Sequence, residues 1–358
     1  MEPQNIDSSV LEKSKFNKSY LKYFLILLVA CIVFYFVFAP LFQKKYTGLE
    51  VAVKINSFLD KSLLKNGGMI AGFGCSKVTK ECSEIVPINN NQPHLGQAIY
   101  SYYLLGQVTG DASYRAKSDK AMDFVLESCK TNVEMCAWNF FPMSRYYFDT
   151  KENKYLIGML APSVQFLRMN SDFVIDQNVG HKLGSLYKAT NDEKYKTKLL
   201  EVANGELAKW PYGPEVHSGR SIQVIWSVFL PAYEITKDKK YLVASENYFN
   251  TFDLSKNFYR FLFLDPIVKG ADALITLSEI SEKGAFYKEQ AHSTLQLLID
   301  TYWDSPENVK VSGDYGFIEM PERGKENVVW KKTITNGWIS KSFIRLPNDK
   351  FNLPKNKK

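Results

Sequence analysis

The segment Trp210-Pro-Tyr-Gly-Pro-Glu-Val-His-Ser-Gly-Arg220 delivers an acid (Glu215), an imidazole (His217) and a guanidinium (Arg220) from one loop shaped by glycine and proline. A guanidinium binds a carboxylate or a pair of hydroxyls in bidentate fashion. Asp265 and Asp272 lie seven residues apart, two turns along one face of a helix. An acid buried in an apolar helix needs a partner or a task. Further polar groups stand just before or at the start of apolar stretches: Asn89, Asn90, Asn91, Gln92 and His94; Trp138 and Asn139; Asp176, Asn178 and His181; Lys269; Asn336 and Trp338. Three of the four histidines fall among these positions. Asp and Asn also favour helix N-termini as caps, which is the alternative reading for Asp176 and Asp265. His94 is open between a ligand contact and a hydrogen-bonded structural role. No zinc motif, phosphate loop, nucleophile elbow or hydrolase signature occurs, so no metal or cofactor is expected.

The elements that must position these groups repeat. Thr109-Gly-Asp-Ala-Ser-Tyr114, Thr150-Lys-Glu-Asn-Lys-Tyr155, Thr190-Asn-Asp-Glu-Lys-Tyr195, Thr236-Lys-Asp-Lys-Lys-Tyr241 and, more loosely, Ser281-Glu-Lys-Gly-Ala-Phe-Tyr287 each join two helical stretches, at spacings of 41, 40, 46 and 45 residues. Asp111, Asp192 and Asp238 are placed to cap the second helix. The stretches before each break (98–108, 179–189, 222–235, 267–280) are apolar nearly all round, whereas those after it (117–130, 194–209, 239–252) carry Lys and Glu on one face. Such alternation predicts an inner and an outer layer of helices. Five hairpins span about 92–303; if a helix over 49–65 pairs with one over 336–345, a sixth closes a ring. An open helical solenoid is the competing architecture, although the tetratricopeptide period is about 34 residues.

The phrase Leu186-Tyr-Lys-Ala-Thr-Asn-Asp-Glu-Lys-Tyr195 resembles the inner-to-outer turn of the six-hairpin (α/α) toroid superfamily, which includes glycoside hydrolases, unsaturated glucuronyl hydrolases, N-acylglucosamine epimerases and helical domains of uronyl epimerases and lyases. The resemblance covers roughly 90–303. It implies a site at the rim where the inner helices begin, fed by the loops 67–97, 129–139, 170–181, 210–223, 257–272 and 305–338. The segment His217 to Tyr241 is also similar to a hairpin of uronyl-epimerase helical domains, without a transferable catalytic residue. Asp265, Asp272, Glu215 and His217 are the catalytic candidates; Arg220, His94, Asn139, Asp176, His181, Trp138 and Trp338 are the substrate-binding ones. Glycoside hydrolysis needs two carboxyl groups about 5–5.5 Å or 6.5–9.5 Å apart. Asp272 or Glu215 suits the acid, and Asp265 the base or nucleophile. An epimerase or lyase would use His217 or Tyr212 for proton transfer, with Arg220 neutralising the uronate.

Residues 23–42 run without a charge, long enough to span a bilayer, and Lys44 and Lys45 follow in place of a cleavage site. The flanks carry Lys13, Lys15, Lys18 and Lys22 on one side and Lys44, Lys45 and Lys54 on the other, a slight positive-inside bias. Cys75/Cys82 and Cys129/Cys136 form local pairs, read as two disulfides, with zinc binding and free thiols as alternatives. Disulfides imply an oxidising compartment. The expected organisation is a cytoplasmic segment 1–22, a transmembrane anchor 23–42, an extracytoplasmic all-α toroid 47–348 and a disordered basic tail 349–358. The net charge of +7 is spread too thinly for nucleic-acid binding. The expected partners are therefore the lipid bilayer and a carbohydrate. The function expected is hydrolysis or modification of an acidic cell-surface polysaccharide, with a non-catalytic glycan-binding scaffold as the alternative.

Overall fold

The computed structural model describes residues 23, 26–29, 44–76, 82–85, 95–210, 219–257, 264–304, 316–317 and 328–354; for 73–76, 82–85, 176, 304, 316 and 328–334 the backbone alone is described. The chain divides into Met1–Lys45 and Tyr46–Lys358. In the first unit, Tyr23 and residues 26–29 are helical. Most of the apolar run 23–42 lies outside the described residues, and among the described ones no helix is long and apolar enough to cross a membrane.

The second unit begins within β1 (Lys45–Thr47), followed by α1 (Gly48–Ser62), β2 (Gly72–Ser76) and β3 (Cys82–Ile85). Helical hairpins follow: α2 (Leu95–Thr109) with α3 (Ala112–Cys129), then a short α4 (Val133–Trp138), and α5 (Phe140–Thr150) with α6 (Asn153–Leu160). After the short α7 (Ser163–Arg168) and α8 (Ser171–Asp176) come α9 (Val179–Thr190) and α10 (Glu193–Leu207). Helix α11 is α-helical over Gly219–Val224 and Leu230–Thr236, with a π turn at Ile225–Phe229 between them, and pairs with α12 (Lys239–Thr251). Then α13 (Leu264–Ile280) and α14 (Gly284–Tyr302) precede β4 (Trp303–Asp304), β5 (Gly316–Phe317), β6 (Val328–Lys332), α15 (Thr333–Arg345) and β7 (Lys350–Asn352).

Helix α15 packs on α1, α2 and α13; around the ring α2 meets α5, α5 meets α9, α9 meets α11 and α11 meets α13. The inner helices α2, α5, α9, α11, α13 and α15 therefore close on themselves, and α15 with α1 is the sixth hairpin. Its span agrees with the helices expected at 49–65 and 336–345, and the open solenoid is excluded.

The repeated break has one stereochemistry. Thr109, Thr150, Thr190 and Thr236 each donate their hydroxyl to the carbonyl four residues earlier, at 2.6–2.8 Å, and accept the N–H two residues on, at 3.1–3.2 Å. The next residue (Gly110, Lys151, Asn191 or Lys237) adopts a left-handed conformation with φ 55–72°, ending the inner helix. Asp111, Asp192 and Asp238 then accept the N–H of Ser113, Lys194 and Lys240, capping the outer helix as expected. Tyr155, Tyr195, Tyr241 and Tyr287 are buried behind the turns.

Two features hold the closing seam. Asn56 of α1, Ser101 of α2 and Ser340 of α15, all fully buried, form a three-way network: Asn56 Nδ2 donates to Ser101 Oγ at 3.1 Å and to Ser340 Oγ at 2.8 Å, and Ser101 Oγ donates to Ser340 Oγ at 2.7 Å. Gly337 lets α15 lie against the α2 backbone, since a Cβ there would come within 2.7 Å of the Gln97 carbonyl carbon.

The all-α expectation needs amendment at the ends of the ring. β2 pairs antiparallel with both β3 and β6, tying the segment before α2 to the segment before α15. Both β2 and β3 lie inside the segment 67–97 expected as a loop. The basic tail starts later than 349: Lys350–Asn352 pairs with β1, Phe351 is fully buried and stacks on His292 with ring centroids 4.5 Å apart. Composition identifies the lysines and misses Phe351 and Leu353 between them.

Replacing Gly337 by Ala is expected to cost about 1–3 kcal/mol through overpacking of the seam. Gly205 in α10 has open space around it, so Gly205→Ala should gain up to about 1 kcal/mol. Urea unfolding of the two variants checks the opposition of sign; equal shifts would contradict the close approach at Gly337.

Candidate functional site

Pro231 has no N–H to give the carbonyl four residues back, and the turn before it widens: the Leu230 N–H bonds to the Ile225 carbonyl in π fashion. Gly180 of α9 fits against this turn, because a Cβ there would stand 1.8 Å from the Ser227 carbonyl oxygen. The π turn carries Trp226 into the ring. There its indole Nε1 donates to Asp272 Oδ2 at 2.8 Å, and the same carboxylate takes Lys341 Nζ at 2.9 Å and Arg345 Nη1 at 2.6 Å. Burial alone would raise the Asp272 pKa, but the Lys341 and Arg345 charges and the indole bond hold it well below the usual carboxylate range. Asp272 is therefore a poor proton donor, and the acid role expected for it gives way to a structural one, locking α11, α13 and α15 together. Spacing along one helix showed that it needed a partner but not that the partners come from two others.

Around Trp226, residues from the first two turns of α5, α9 and α15 form an aromatic layer. His181 stacks edge-on to Trp226 at 4.5 Å between centroids, Trp338 lies 4.9 Å from Trp226, and Phe141 lies 5.9–6.5 Å from all three. On the loop side, Lys269 Nζ sits 5.6 Å from the Trp226 ring centre and 5.7 Å from that of Trp338, and pairs with Asp265 Oδ2 at 2.7 Å. Lys269 is 4% exposed and Asp265 58% exposed, so the carboxylate faces solvent above a buried ammonium. Asp265 does not stand near Asp272 as an acid pair: one faces the loop end, and the other is consumed by the lock.

The remaining sequence-predicted residues separate. Arg220, at the start of α11, reaches Asp172 Oδ1 at 2.7 Å and Glu206 Oε2 at 3.7 Å. Asn139 is fully buried at the junction of α4 and α5, with Nδ2 donating to the Met135 carbonyl at 2.8 Å, a packing role in place of ligand contact. Trp138 is partly exposed at the end of α4. Asp176 ends α8, its side chain outside the description, and His94, Tyr212, Glu215 and His217 lie outside the described residues. Cys129 and Cys136 are joined in a disulfide between the end of α3 and α4. Cys75 and Cys82 face each other in the β2–β3 register. Among the described residues no His/Cys/Asp/Glu group could hold a metal ion.

On the other side of the aromatic layer a cavity of about 250 Å³ runs toward the turn end, lined by Gln97, Tyr100, Ser144, Arg145, Phe148, Ser185, Lys188, Glu234 and Lys341 with the aromatic layer as floor. Tyr100, Arg145, Ser185, Lys188 and Glu234 are not among the sequence candidates, because they lie within helices and not at the loops expected to feed the site; the polar residues Ser144/Arg145 and Ser185/Lys188 are the signal that the sequence offers.

No family model matches the sequence, and no curated protein matches it. Solved structures do. An unsaturated glucuronyl hydrolase specific for heparin aligns with TM-score 0.62 at 14% identity, over 84% of this chain and 95% of its own. The unsaturated glucuronyl hydrolase of Bacillus sp. GL1, described as responsible for glycosaminoglycan degradation, gives 0.61 at 12% identity over 84% and 96%. The Streptococcus agalactiae enzyme gives 0.56 at 14% over 86% and 94%. The fold is thus the six-hairpin (α/α) toroid seen in these glycoside hydrolases.

A buried amine outside the site makes a pH test. Lys182 of α9 packs over the Phe166 ring at 5.1 Å with no carboxylate partner among the described residues, and burial pushes its pKa down to about 7. Its folded pKa lies below the unfolded value of 10.5, so burial costs nothing above pH 10.5, costs more as pH falls, and costs fully below 7. Lys182→Met should stabilise the fold by on the order of a few kcal/mol at pH 6, with the gain shrinking between pH 8 and 10 in thermal melts. A gain that does not change with pH would contradict the buried charge.

Proposed function

We propose that this chain acts on an acidic polysaccharide at the loop end of its ring, outside the cytoplasm, held to the membrane by the apolar run 23–42. The observation that carries the reading is the closed toroid that superposes on unsaturated glucuronyl hydrolases over 84–86% of this chain. Three features of the chain agree with it. Trp338 and Trp226, both buried, form an aromatic layer at the head of the ring with the Lys269 ammonium 5.7 and 5.6 Å from their ring centres. Arg220 supplies a second cation at a helix start on the same end. Asp265 is a solvent-facing carboxylate in the first turn of α13, suited to serve as base or nucleophile, and Glu215 is the acid proposed from the sequence. The Cys129–Cys136 disulfide supports an oxidising compartment and hence an exported domain.

A second reading, glycan binding without turnover, draws on Asp272. That acid is consumed by Lys341, Arg345 and Trp226, which leaves Asp265 as the one proposed catalytic carboxylate with a described side chain. Asp265→Asn separates the two. For an enzyme, release of reducing sugar from uronate-ended oligosaccharides should fall at least about a thousandfold with binding kept; a chain that never releases sugar but binds the glycan equally well in both forms is a binding module. Arg220→Ala should weaken acidic glycans by about 1.5–3 kcal/mol and neutral ones less, measured by calorimetry. Equal losses for both would remove Arg220 from the site.

A further inference from the structure

The outer surface of the turn end carries charge that neither the fold nor the function proposed above uses. Lys151, Lys237, Lys239, Lys283 and Lys350 lie in or directly beside the turn-end connections, all are exposed, and none pairs with a carboxylate among the described residues. Of the carboxylates in those connections, Glu152, Asp192, Asp238 and Asp349 are taken by other lysines, which leaves Asp111 and Glu282. Unpaired ammonium groups therefore outnumber unpaired carboxylates there. Lys151 and Lys237 moreover hold left-handed positions, where Gly or Asn is the common choice. Their ammonium groups lie over the rings of Tyr147 and Tyr233, 5.4 Å from each centre. Apolar groups stand among the lysines: Val108, in the last turn of α2, is 48% exposed, and Phe286, in the first turn of α14, is 42% exposed.

We infer that the turn end is a docking face for anionic lipid headgroups, so that the ring stands on the bilayer with its loop end turned away from it. The inference takes the anchoring by the run 23–42 from the function proposed above and adds a second, electrostatic contact. The first support is where the chain enters the ring. The Gly48 N–H donates to the Asp349 carbonyl at 2.9 Å, and a Cβ on Gly48 would stand 2.2 Å from the Leu346 carbonyl oxygen, so α1 starts at the turn end. Residues 43–45 are all that separate the apolar run from Tyr46, a reach of at most about 14 Å when fully extended. A bilayer holding that run lies close to the turn end. The loop end is further off by the fifteen residues of α1, roughly 22 Å of helix.

The second support is chemical. Ammonium groups on flexible stems meet headgroup phosphates, and tyrosines beneath them suit the boundary between water and hydrocarbon. A soluble polyanion would engage the lysines and leave Val108 and Phe286 in water, whereas a lipid surface receives both kinds of side chain. The attraction acts within a Debye length, about 8 Å at physiological salt, so it needs the face held close, as the short link to the apolar run would hold it. With the turn end against the lipid, the candidate site at the loop end opens toward polymers beyond the membrane surface.

The test uses the full chain in bilayer nanodiscs of phosphatidylcholine alone or with about a third phosphatidylglycerol, with hydrogen–deuterium exchange followed at the turn-end connections. Flotation with phosphatidylcholine vesicles at high salt reports the anchor separately. Exchange around Lys151, Lys237 and Lys283 is expected to be at least about threefold slower with the anionic lipid, and to return to the phosphatidylcholine rate in about 0.5 M NaCl. Combining Lys237→Glu, Lys239→Glu and Lys283→Glu, all at exposed positions, should abolish the difference with melting unchanged; the salt reversal decides the matter if that variant fails to fold. Equal exchange in the two lipids by a chain that floats would overturn the inference and leave the anchor standing, and a chain that does not float removes both. Protection of the same turns by soluble dextran sulfate, as strong as that by the anionic lipid, would assign the face to a polymer and equally overturn it.

Discussion

One buried carboxylate organises this molecule. Asp272 sits in the wall of the ring with Lys341, Arg345 and the Trp226 indole around it. Removing a partner from a buried ionic cluster of this kind costs about 3–5 kcal/mol, because it strands a charge. The consequence is architectural as much as energetic. Lys341 and Arg345 belong to α15, the helix near the end of the chain, and Trp226 belongs to the π turn of α11. The lock thus ties the closing helix to the wall and fixes the aromatic residue at the centre of the bore. On its other side α15 is held by the Asn56, Ser101 and Ser340 network and by the close approach at Gly337.

From that lock the two ends of the ring acquire different characters. At the turn end, Thr, a left-handed residue and a capping Asp recur and keep the connections short. At the loop end, connections are long enough to hold α4, α7, α8, a three-stranded sheet and a disulfide. Trp226, Trp338, His181 and Phe141 lie between, so side chains reach them from both directions. Lys269 and Lys341 both stand over the ring of Trp338, at 5.7 and 6.0 Å from its centre.

How much of this the sequence carried depends on the range of the interaction. The turns are local: each is complete within six residues, and Thr109 to Tyr114 or Thr190 to Tyr195 could be read as helix end, cap and buried Tyr directly. Layering was legible too, since an inner helix such as α13 shows apolar residues on all faces. The partnership of α1 with α15 followed by elimination, because both needed an apolar surface. Side-chain partners across helices were not legible. Asp272 was recognised as needing a partner, but Lys341 and Arg345 lie about seventy residues away, and no period connects them. Arg220 was assigned to a ligand because its loop looked built for one; the carboxylates that engage it, Asp172 and Glu206, belong to α8 and α10. Pro231 lies within the stretch 222–235 expected as an inner helix, and that the π turn before it brings Trp226 to Asp272 is a property of the assembled ring. Sheet formation by β2, β3 and β6 joins segments 250 residues apart, beyond any local pattern.

The central claim is that an acidic glycan is held at the loop end, over Lys269 and the aromatic layer. Hydrogen–deuterium exchange of the full chain, with and without an acidic oligosaccharide too long for the turn-end cavity, localises the ligand directly. Slowed exchange is expected in the first turns of α11, α13 and α15, with the Thr–Asp turns unchanged. No protection anywhere, or protection confined to the turn end, would contradict the account.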